Sequence, residues 1–298
     1  MTVTAHSASY ITAHGKSNFL VYGTAWKKEL TAKYVNQAIH TGFRFIDTAC
    51  QPKHYNETGV GEGWTTAAKE LGLERSDLYI QSKYTSYGGQ DPMDVPYDHT
   101  APLEEQVKTS LEVSLRNLQT TYLDTLVLHS PLETIEDTML VWRTMETFVD
   151  QGKALRLGIS NCYDVNMFKA IYEMARVKPA VLQNRFTADL NFDTELRAFV
   201  KSKGGIWYQS FWTLTASRHA LANSQVQELA ALHHLTPQTY MFAFLLSLGY
   251  VTPLSGTTSI HHMADDVAVM ERIQGGEVFF ETETDLRRMA QLLGMPDL

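Results

Sequence analysis

The sequence is poor in cysteine, has no excess of basic residues and contains no long apolar run. Cys50 and Cys162 are the only cysteines among 298 residues. Both follow predicted strands, so we expect no structural disulfide and a reducing compartment. The net charge of −8 argues against a nucleic-acid partner or an anionic membrane surface. The longest apolar stretch, 241–248, is too short to cross a bilayer, and residues 1–20 contain no apolar run of signal-peptide length. These absences predict a soluble cytoplasmic protein without membrane or nucleic-acid partners.

What the chain does contain is a series of short apolar runs separated by segments with helical periodicity. The composition, 44% apolar and 19% charged, is typical of a globular protein with a sizeable core. Strands that alternate with helical segments indicate repeated βαβ units and a parallel sheet. Eight runs are found, at 19–23, 43–46, 78–82, 123–128, 155–160, 180–182, 205–210 and 250–253. We therefore expect an α/β fold, a single-domain (β/α)8 TIM barrel over residues 1–298.

Helix-start signals support this division of the chain. Thr134 followed by Asp137 is typical of a capping box, and Thr236-Pro237 combines a cap with a first-turn proline. One long connection is predicted, residues 84–101, which follows the third strand and is rich in Gly, Pro, Asp and Tyr. A loop of that length in a compact barrel is usually a lid or a binding loop.

Five of the apolar runs end on a polar or ionisable residue. These residues are Asp47, Lys83, His129, Asn161 and Gln183. Because parallel strands of a barrel place all their carboxyl ends at one mouth, where catalysis sits in such folds, we expect these five side chains to converge on one pocket.

Lys83 and Asp47 are expected to pair, since they end neighbouring strands. A plain salt bridge at the rim is one interpretation; the other is that the pair supplies a positive charge to Tyr55, in the loop after Asp47. A free phenol titrates near pH ~10, and an adjacent ammonium lowers that pKa. His129 could then orient a substrate oxygen, although a hydrogen-bonded core histidine is the alternative.

Neutral amides at two further strand ends suit the recognition of another amide. Asn161 and Gln183 can each donate and accept a hydrogen bond, as the carboxamide of nicotinamide requires. Phe211, after the seventh run, offers a flat face for a ring to stack on. These residues alone do not identify the ligand, although a nicotinamide ring would suit them.

With these residues in view, the chain resembles the aldo-keto reductases over nearly its whole length. The segments that carry the resemblance are Gly42-Phe43-Arg44-Phe45-Ile46-Asp47-Thr48-Ala49, Asn56-Glu57 with Val60-Gly61, Ser82-Lys83, Leu126-Val127-Leu128-His129-Ser130-Pro131, Gly158-Ile159-Ser160-Asn161-Cys162 and Lys178-Pro179-Ala180-Val181-Leu182-Gln183. The resemblance implies a barrel that binds NADP(H) without a Rossmann domain and reduces a small carbonyl substrate without a metal. It implies a catalytic set of Asp47, Tyr55, Lys83 and His129. It also implies cofactor contacts from Thr24, Asp47, Ser160, Asn161, Gln183, Phe211, Trp212, Leu214, Gly256, Thr257, Thr258, His262, Asp265 and Asp266.

The loop that carries the tyrosine departs from the family pattern. Tyr55 lies eight residues after Asp47 rather than five, directly before Asn56-Glu57, and His54 stands where the family has its tyrosine relative to Asn-Glu. Tyr55 is still the expected acid, because a histidine does not replace a phenol at comparable acidity.

The segment that holds the 2′-phosphate in the family also departs, because Gly256, Thr257 and His262 take the place of a Lys-Ser pair and an arginine. Backbone N–H groups of residues 256–259 could compensate at the start of a helix, so NADP(H) is expected over NAD(H).

The substrate pocket is expected to be open, because the segment after Gly275-Gly276 is shorter than in longer family members. The 84–101 loop would form its main wall, with aromatic residues Tyr84, Tyr87, Trp26 and Trp212. Aromatic walls indicate a bulky or aromatic carbonyl substrate; the other interpretation is that these are ordinary packing residues.

Two other functions stay open at the level of the sequence. One is a regulatory protein that binds a nucleotide on the same barrel with little turnover. The other is a cofactor-free lyase or isomerase that uses Lys83 as a Schiff-base or general-base lysine with Asp47 as its partner.

Overall fold

The computed structural model describes residues 19–296 and 298. The expectation about a leader segment therefore falls almost wholly outside the described residues, because it concerns residues 1–20. Within the described part of the chain, none of the helices combines the length and the apolar character that a membrane crossing requires.

Eight parallel strands form a closed barrel, each paired with its neighbours in chain order, and the last strand closes on the first. This confirms the predicted (β/α)8 architecture. The strands are β1 (Val21–Gly23), β2 (Phe45–Asp47), β3 (Tyr79–Tyr84), β4 (Thr125–Leu128), β5 (Leu157–Ser160), β6 (Val181–Arg185), β7 (Trp207–Phe211) and β8 (Val251–Ser255).

Strand ends differ from the predicted ones by up to three residues because pairing with a neighbour, rather than hydrophobicity, determines them. The clearest case is β6, predicted to end at residue 182. It continues through the polar residues 183–185, since Arg185 is in register with Phe211 of β7. Both faces of the strands are covered, and all six residues of β3 are buried, as expected of a parallel sheet inside a helical layer.

Twelve α-helices occur in the described part of the chain. They are α1 (Thr31–Thr41), α2 (Glu57–Leu71), α3 (Leu103–Asn117), α4 (Ile135–Asp150), α5 (Val165–Met174), α6 (Thr194–Lys203), α7 (Thr213–Ala216), α8 (Arg218–Leu221), α9 (Ser224–Leu232), α10 (Pro237–Ser247), α11 (Ile260–Gln274) and α12 (Glu283–Leu293).

The predicted caps occur where the sequence placed them. The Thr236 side chain accepts from the backbone N–H of Thr239 in a reciprocal capping box at the start of α10, and Thr134 accepts from the N–H of Asp137 at the start of α4. These side chains satisfy backbone donors that have no partner inside the helix. Each helix therefore begins at a defined residue and returns the chain to the next strand.

The long connection after β3 is ordered by hydrogen bonds to the barrel. Tyr97 Oη donates to the carbonyl oxygen of Thr85 at 2.6 Å, and Gln90 Nε2 donates to the carbonyl oxygens of Cys50 at 2.9 Å and Thr85 at 3.1 Å. Gln51 Nε2 donates to the carbonyl oxygen of Gly89 at 2.6 Å. The loop is therefore attached to the segment that follows β2. Both cysteines are free and buried, as expected.

Candidate active site

A cavity of about 910 Å³ opens at the carboxyl ends of the strands. Most of the predicted site residues line it: Asp47, Tyr55, His129, Ser160, Asn161, Gln183, Phe211, Trp212, Leu214, Gly256, Thr257, His262, Asp265 and Asp266. Of the five strand-end residues expected to converge here, Asp47, His129, Asn161 and Gln183 line the cavity, whereas Lys83 does not. The closed parallel barrel places the carboxyl ends of all strands at one mouth.

Lys83 and Asp47 form a buried ion pair beneath this cavity. Lys83 Nζ lies 2.7 Å from Asp47 Oδ1 and 2.8 Å from Oδ2, and it also donates to the carbonyl oxygen of Thr48 at 2.8 Å. Lys83 is 1% exposed. Burial lowers the pKa of Lys83, but the carboxylate of Asp47, through its charge and its hydrogen bonds, and the adjacent Tyr55 oppose burial, and that pKa is raised. The lysine is therefore a fixed ammonium.

Tyr55 lies above this pair and faces the cavity. Its ring centroid is 4.9 Å from Lys83 Nζ. The expectation that Lys83 brings the pKa of Tyr55 below its ordinary value is wrong in its net sign. Burial is the largest influence and raises the pKa of Tyr55, and the nearby charge of Lys83 opposes it only in part. Tyr55 is therefore a neutral phenol near pH 7, beside a charge that favours its anion.

His54, which stands where the family has its tyrosine, also lines the cavity but has a different role. Its Nδ1 is 2.8 Å from Gln51 Oε1, and its ring packs on Trp26 with centroids 4.1 Å apart. Burial lowers the pKa of His54. The longer loop therefore places Tyr55 next to Lys83 and turns His54 into a wall of the pocket.

His129 follows β4 and lies edge-on to Tyr55, with ring centroids 6.0 Å apart. Its Nδ1 is 2.6 Å from Thr85 Oγ1. Burial, followed by the nearby charge of Lys83, holds the pKa of His129 well below its ordinary value. The imidazole is therefore neutral near pH 7, so it can offer a hydrogen bond but is not an acid of useful strength.

The two predicted amides are already held by neighbours. Asn161 Nδ2 donates to the carbonyl oxygen of His129 at 2.9 Å. Gln183 Nε2 donates to Asp47 Oδ1 at 3.0 Å and to Gln209 Oε1 at 2.9 Å. In the part of the chain that the structure describes, Gln183 Oε1 has no hydrogen-bond donor, and this residue lines the cavity. It is an acceptor held in place and available to a ligand.

The end of β7 and the neighbouring end of β6 form another wall. Phe211, Trp212 and Leu214 line the cavity there. The guanidinium carbon of Arg185 lies 4.5 Å from the Trp212 ring centroid. Among the described residues that line the cavity, Arg185 is the only lysine or arginine. The sequence reasoning missed it, although its position two residues after Gln183 places both on the same side of β6.

The segment between β8 and α11 forms the far end of the cavity. Gly256, Thr257, His262 and Asp265 line it together with Asp266. Asp266 is buried and accepts from Ser255 Oγ at 2.6 Å. Burial raises the pKa of this carboxyl to about 7.

Two predicted cofactor contacts lie outside the lining of the cavity. Thr24 is buried and turns away, so that its Oγ1 donates to the carbonyl oxygen of Asp47 at 2.8 Å. Thr258 is exposed but does not line the cavity.

The expected walls of the pocket are also corrected in part. Trp26 and Trp212 line the cavity, whereas Tyr84 and Tyr87 do not. Tyr84 is buried against Tyr97, and Tyr87 stacks on His99. The 84–101 loop contributes only Thr85 and Gly89 to the lining of the cavity, because its aromatic residues pack within the loop itself.

The sequence profile of the Aldo/keto reductase family matches residues 15–275. The chain belongs to this family. Among its relatives, glyoxal reductase of Bacillus subtilis is 32% identical over 219 residues, which cover 73% of this chain and 70% of the relative. The NAD(P)H-dependent D-xylose reductase of Pachysolen tannophilus is 27% identical over 248 residues, covering 71% of this chain and 73% of the relative.

Solved structures share the fold of this aldo/keto reductase. The Bombyx mori aldo-keto reductase in complex with NADP superposes with a TM-score of 0.74 at 20% identity, covering 92% of this chain and 88% of that chain. The aldose reductase of Schistosoma japonicum gives 0.73 at 24% identity, covering 91% and 87%. Family membership makes the protein an oxidoreductase that reduces carbonyl compounds with NAD(P)H.

Proposed function

We propose that this aldo/keto reductase reduces a small aldehyde or ketone to the alcohol with Tyr55 as the proton donor. The observation that carries the proposal is the buried Lys83–Asp47 pair next to a neutral, pocket-facing phenol. Such a phenol keeps its proton until the carbonyl oxygen gains charge, and an ammonium already in place then stabilises the phenolate.

The cavity fits a nicotinamide dinucleotide at several points. Gln183 offers a fixed acceptor for a carboxamide, next to Ser160 at the end of β5 and Asn161 directly after it. Phe211 offers a face for a ring. Gly256 at the far end has open space around its Cα. Trp212, Leu214 and the guanidinium of Arg185 border the stretch between these ends, where we place the phosphates. When bound, the reduced nicotinamide supplies the hydride.

The residues around the reacting carbonyl then have separate tasks. Tyr55 donates the proton through its Oη. Lys83 lowers the free energy of the phenolate that forms. The carboxylate of Asp47 offsets the free-energy cost of burying the Lys83 ammonium. His129 is neutral, so it holds the carbonyl oxygen by a hydrogen bond and leaves proton transfer to Tyr55.

The substrate is proposed to carry a flat or aromatic group. Trp26, 64% exposed, packs against His54, and Trp212, 54% exposed, also lines the cavity. Exposed indoles at a pocket mouth favour flat apolar groups. We also propose a cytoplasmic location, which two buried free thiols support.

The cofactor preference is proposed from the charges at the far end of the cavity. Resemblance to the family favours NADP(H). The lining residues there are two aspartates, a histidine, a threonine and a glycine, without a lysine or arginine among the described lining. The ammonium of Lys27 lies behind this lining and donates to the carbonyl oxygen of Gly256 at 2.9 Å. These lining residues offer little electrostatic stabilisation to a 2′-phosphate dianion, whereas aspartate oxygens can accept a hydrogen bond from a ribose hydroxyl. We propose that NADH is used at least as efficiently as NADPH.

Replacing Tyr55 by phenylalanine tests the central proposal. We expect Tyr55→Phe to lower kcat by roughly 10²–10⁴-fold, the usual contribution of a general acid. Cofactor affinity, measured by fluorescence titration, is expected to stay unchanged. Tyr87→Phe is the matched control, because Tyr87 lies outside the cavity, and its kcat should equal that of the wild type.

A Tyr55→Phe enzyme that keeps most of its turnover would remove Tyr55 from the mechanism. If the wild type binds cofactor but turns over no aldehyde or ketone in a broad panel, the regulatory alternative is preferred. Borohydride trapping of a substrate adduct on Lys83 would favour the lyase alternative, which the raised pKa of Lys83 argues against, since a Schiff base requires a neutral amine.

A further inference from the structure

Thr85, the residue that follows β3, contacts the histidine of the site directly. Its Oγ1 lies 2.6 Å from His129 Nδ1, and both residues line the cavity. The backbone is fixed on both sides of this contact. The N–H of His129 donates to the carbonyl oxygen of Tyr84 at 2.9 Å, and the carbonyl oxygen of Thr85 accepts from Tyr97 Oη and Gln90 Nε2. The contact is therefore built into the ends of two adjacent strands.

A count of protons at this contact favours one tautomer of the imidazole. A neutral imidazole carries a single N–H, on either Nδ1 or Nε2. Thr85 is 3% exposed, and in the described part of the chain its hydroxyl has no hydrogen-bond partner other than His129 Nδ1. If Nδ1 carried the proton, the buried hydroxyl would be left without an acceptor, which costs free energy. The favourable arrangement has the Thr85 hydroxyl donating to Nδ1, with the ring proton on Nε2.

We propose that Thr85 is a positioning residue that holds His129 as the Nε2–H tautomer, so that the free N–H is presented to the substrate oxygen. Among the described residues, His129 Nε2 has no hydrogen-bond partner, and the ring lies edge-on to Tyr55. A hydrogen bond at one ring nitrogen fixes which nitrogen carries the proton. An oxygen that is gaining negative charge would thus meet two donors, Tyr55 Oη and His129 Nε2.

The contact between Thr85 and His129 also connects the 84–101 loop to the proposed catalytic residues. Tyr97 and Gln90 hold the carbonyl oxygen of Thr85, so this loop determines where the Thr85 hydroxyl lies. The loop contributes little of the pocket wall, but it determines the orientation of an active-site ring. This inference rests on the proposed carbonyl reduction only for its catalytic consequence, whereas the tautomer itself is a property of the free protein.

The test compares Thr85→Val, which removes the hydroxyl at nearly constant volume, with Thr85→Ser, which keeps it. Nitrogen-15 NMR of the histidine side chains reports the tautomer of His129, and His129→Gln assigns its signals. We expect the Nε2–H pattern in the wild type and in Thr85→Ser, and its loss in Thr85→Val. Kinetically, Thr85→Val should lower kcat about tenfold, as expected for one lost hydrogen bond in the transition state. The KM for cofactor should be unchanged. The kcat of Thr85→Ser should be close to that of the wild type.

An Nδ1–H signal for His129 in the wild type would overturn the inference, and so would a Thr85→Val protein with unchanged tautomer and unchanged kcat. A wild type that shows the Nε2–H pattern but reduces no carbonyl compound would instead count against the proposed function. Circular dichroism of each variant separates these results from a failure to fold.

Discussion

Asp265 and Asp266 are neighbours in the chain but differ at the residue scale in burial. Asp265 is exposed, whereas Asp266 is 4% exposed and accepts from Ser255. Burial raises the pKa of Asp266 from 3.8 to about 7. Environment, rather than residue type, thus decides the protonation of a side chain, as it does for Tyr55, where burial outweighs the charge of Lys83.

The raised pKa of Asp266 makes stability depend on pH. Between about pH 4 and 7 the folded protein holds this proton and the unfolded chain has lost it, so the folded state binds more protons. The contribution of Asp266 is therefore full below about pH 4 and is lost as pH rises through 7. Since one pKa unit corresponds to about 1.4 kcal/mol, Asp266→Asn should raise the free energy of unfolding by roughly 2–4 kcal/mol near pH 8 and leave it almost unchanged near pH 4.

Chemical denaturation at both pH values measures this difference. Asp265→Asn removes the same charge from an exposed position and is the control, with an expected change within about 0.5 kcal/mol. Equal gains in the two variants would mean that net charge, rather than the burial of Asp266, is responsible.

At the scale of elements, the position of Tyr55 depends on how closely α2 packs on the end of α3. Gly61 is the contact point, because a Cβ there would lie 2.2 Å from the carbonyl oxygen of Asn117. Glu57 is the first residue of this helix and directly follows Tyr55 and Asn56 in the chain. Its carboxylate accepts from Ser82 Oγ at 2.5 Å. A displaced α2 would therefore move Tyr55 relative to Lys83.

Gly61→Ala should be destabilising by about 1–3 kcal/mol, the usual cost of overpacking, because the obstructing atom belongs to the backbone. Its kcat should fall as well, since Tyr55 lies two residues before α2 and would move with that helix. Gly275→Ala is the control. That exposed residue has a φ of −71°, and its nearest Cβ contacts are carbonyl oxygens of its own helix, at 3.3 and 3.4 Å. A Gly61→Ala protein as stable as the control would show that α2 and α3 separate at little cost.

At the scale of the whole molecule, the charge around the cavity is unevenly distributed. The single lysine or arginine among its described lining residues, Arg185, lies at the β6 end, and the two acidic residues beyond Asp47 lie at the α11 end. The chain as a whole carries a net charge of −8. We therefore propose that the electrostatics of the α11 end of the cavity decide the discrimination between two cofactors that differ by one phosphate.

We expect kcat/KM for NADH to equal or exceed that for NADPH in the wild type. His262→Arg adds a guanidinium to this end and should raise kcat/KM for NADPH roughly tenfold, with little effect on NADH. His261→Arg adds the same charge next to it, at a residue that does not line the cavity, and should leave the ratio unchanged. A wild type that favours NADPH by more than tenfold would overturn the proposal and point to the backbone N–H groups of residues 256–259.

Some residues of the site could be predicted from local sequence patterns, whereas others could be identified only from the folded structure. Asp47, Lys83 and His129 were predicted from their positions at the ends of apolar runs, and Tyr55 was predicted from its position in the loop after Asp47. Thr85, Arg185 and Gln209 were not found, although Arg185 shares a face of β6 with Gln183. Thr85 lies 44 residues from His129, and no local pattern relates the two.

The sequence alone determined the barrel, the order of its strands and the mouth at which its polar residues meet, because hydrophobic periodicity, capping residues and motifs are properties of neighbouring positions. Only the tertiary structure decided that Tyr55 is a neutral phenol, that Tyr84 and Tyr87 pack away from the pocket, and that Thr85 contacts His129. These properties depend on burial and on distances between strands far apart in the chain, which the packed barrel alone defines.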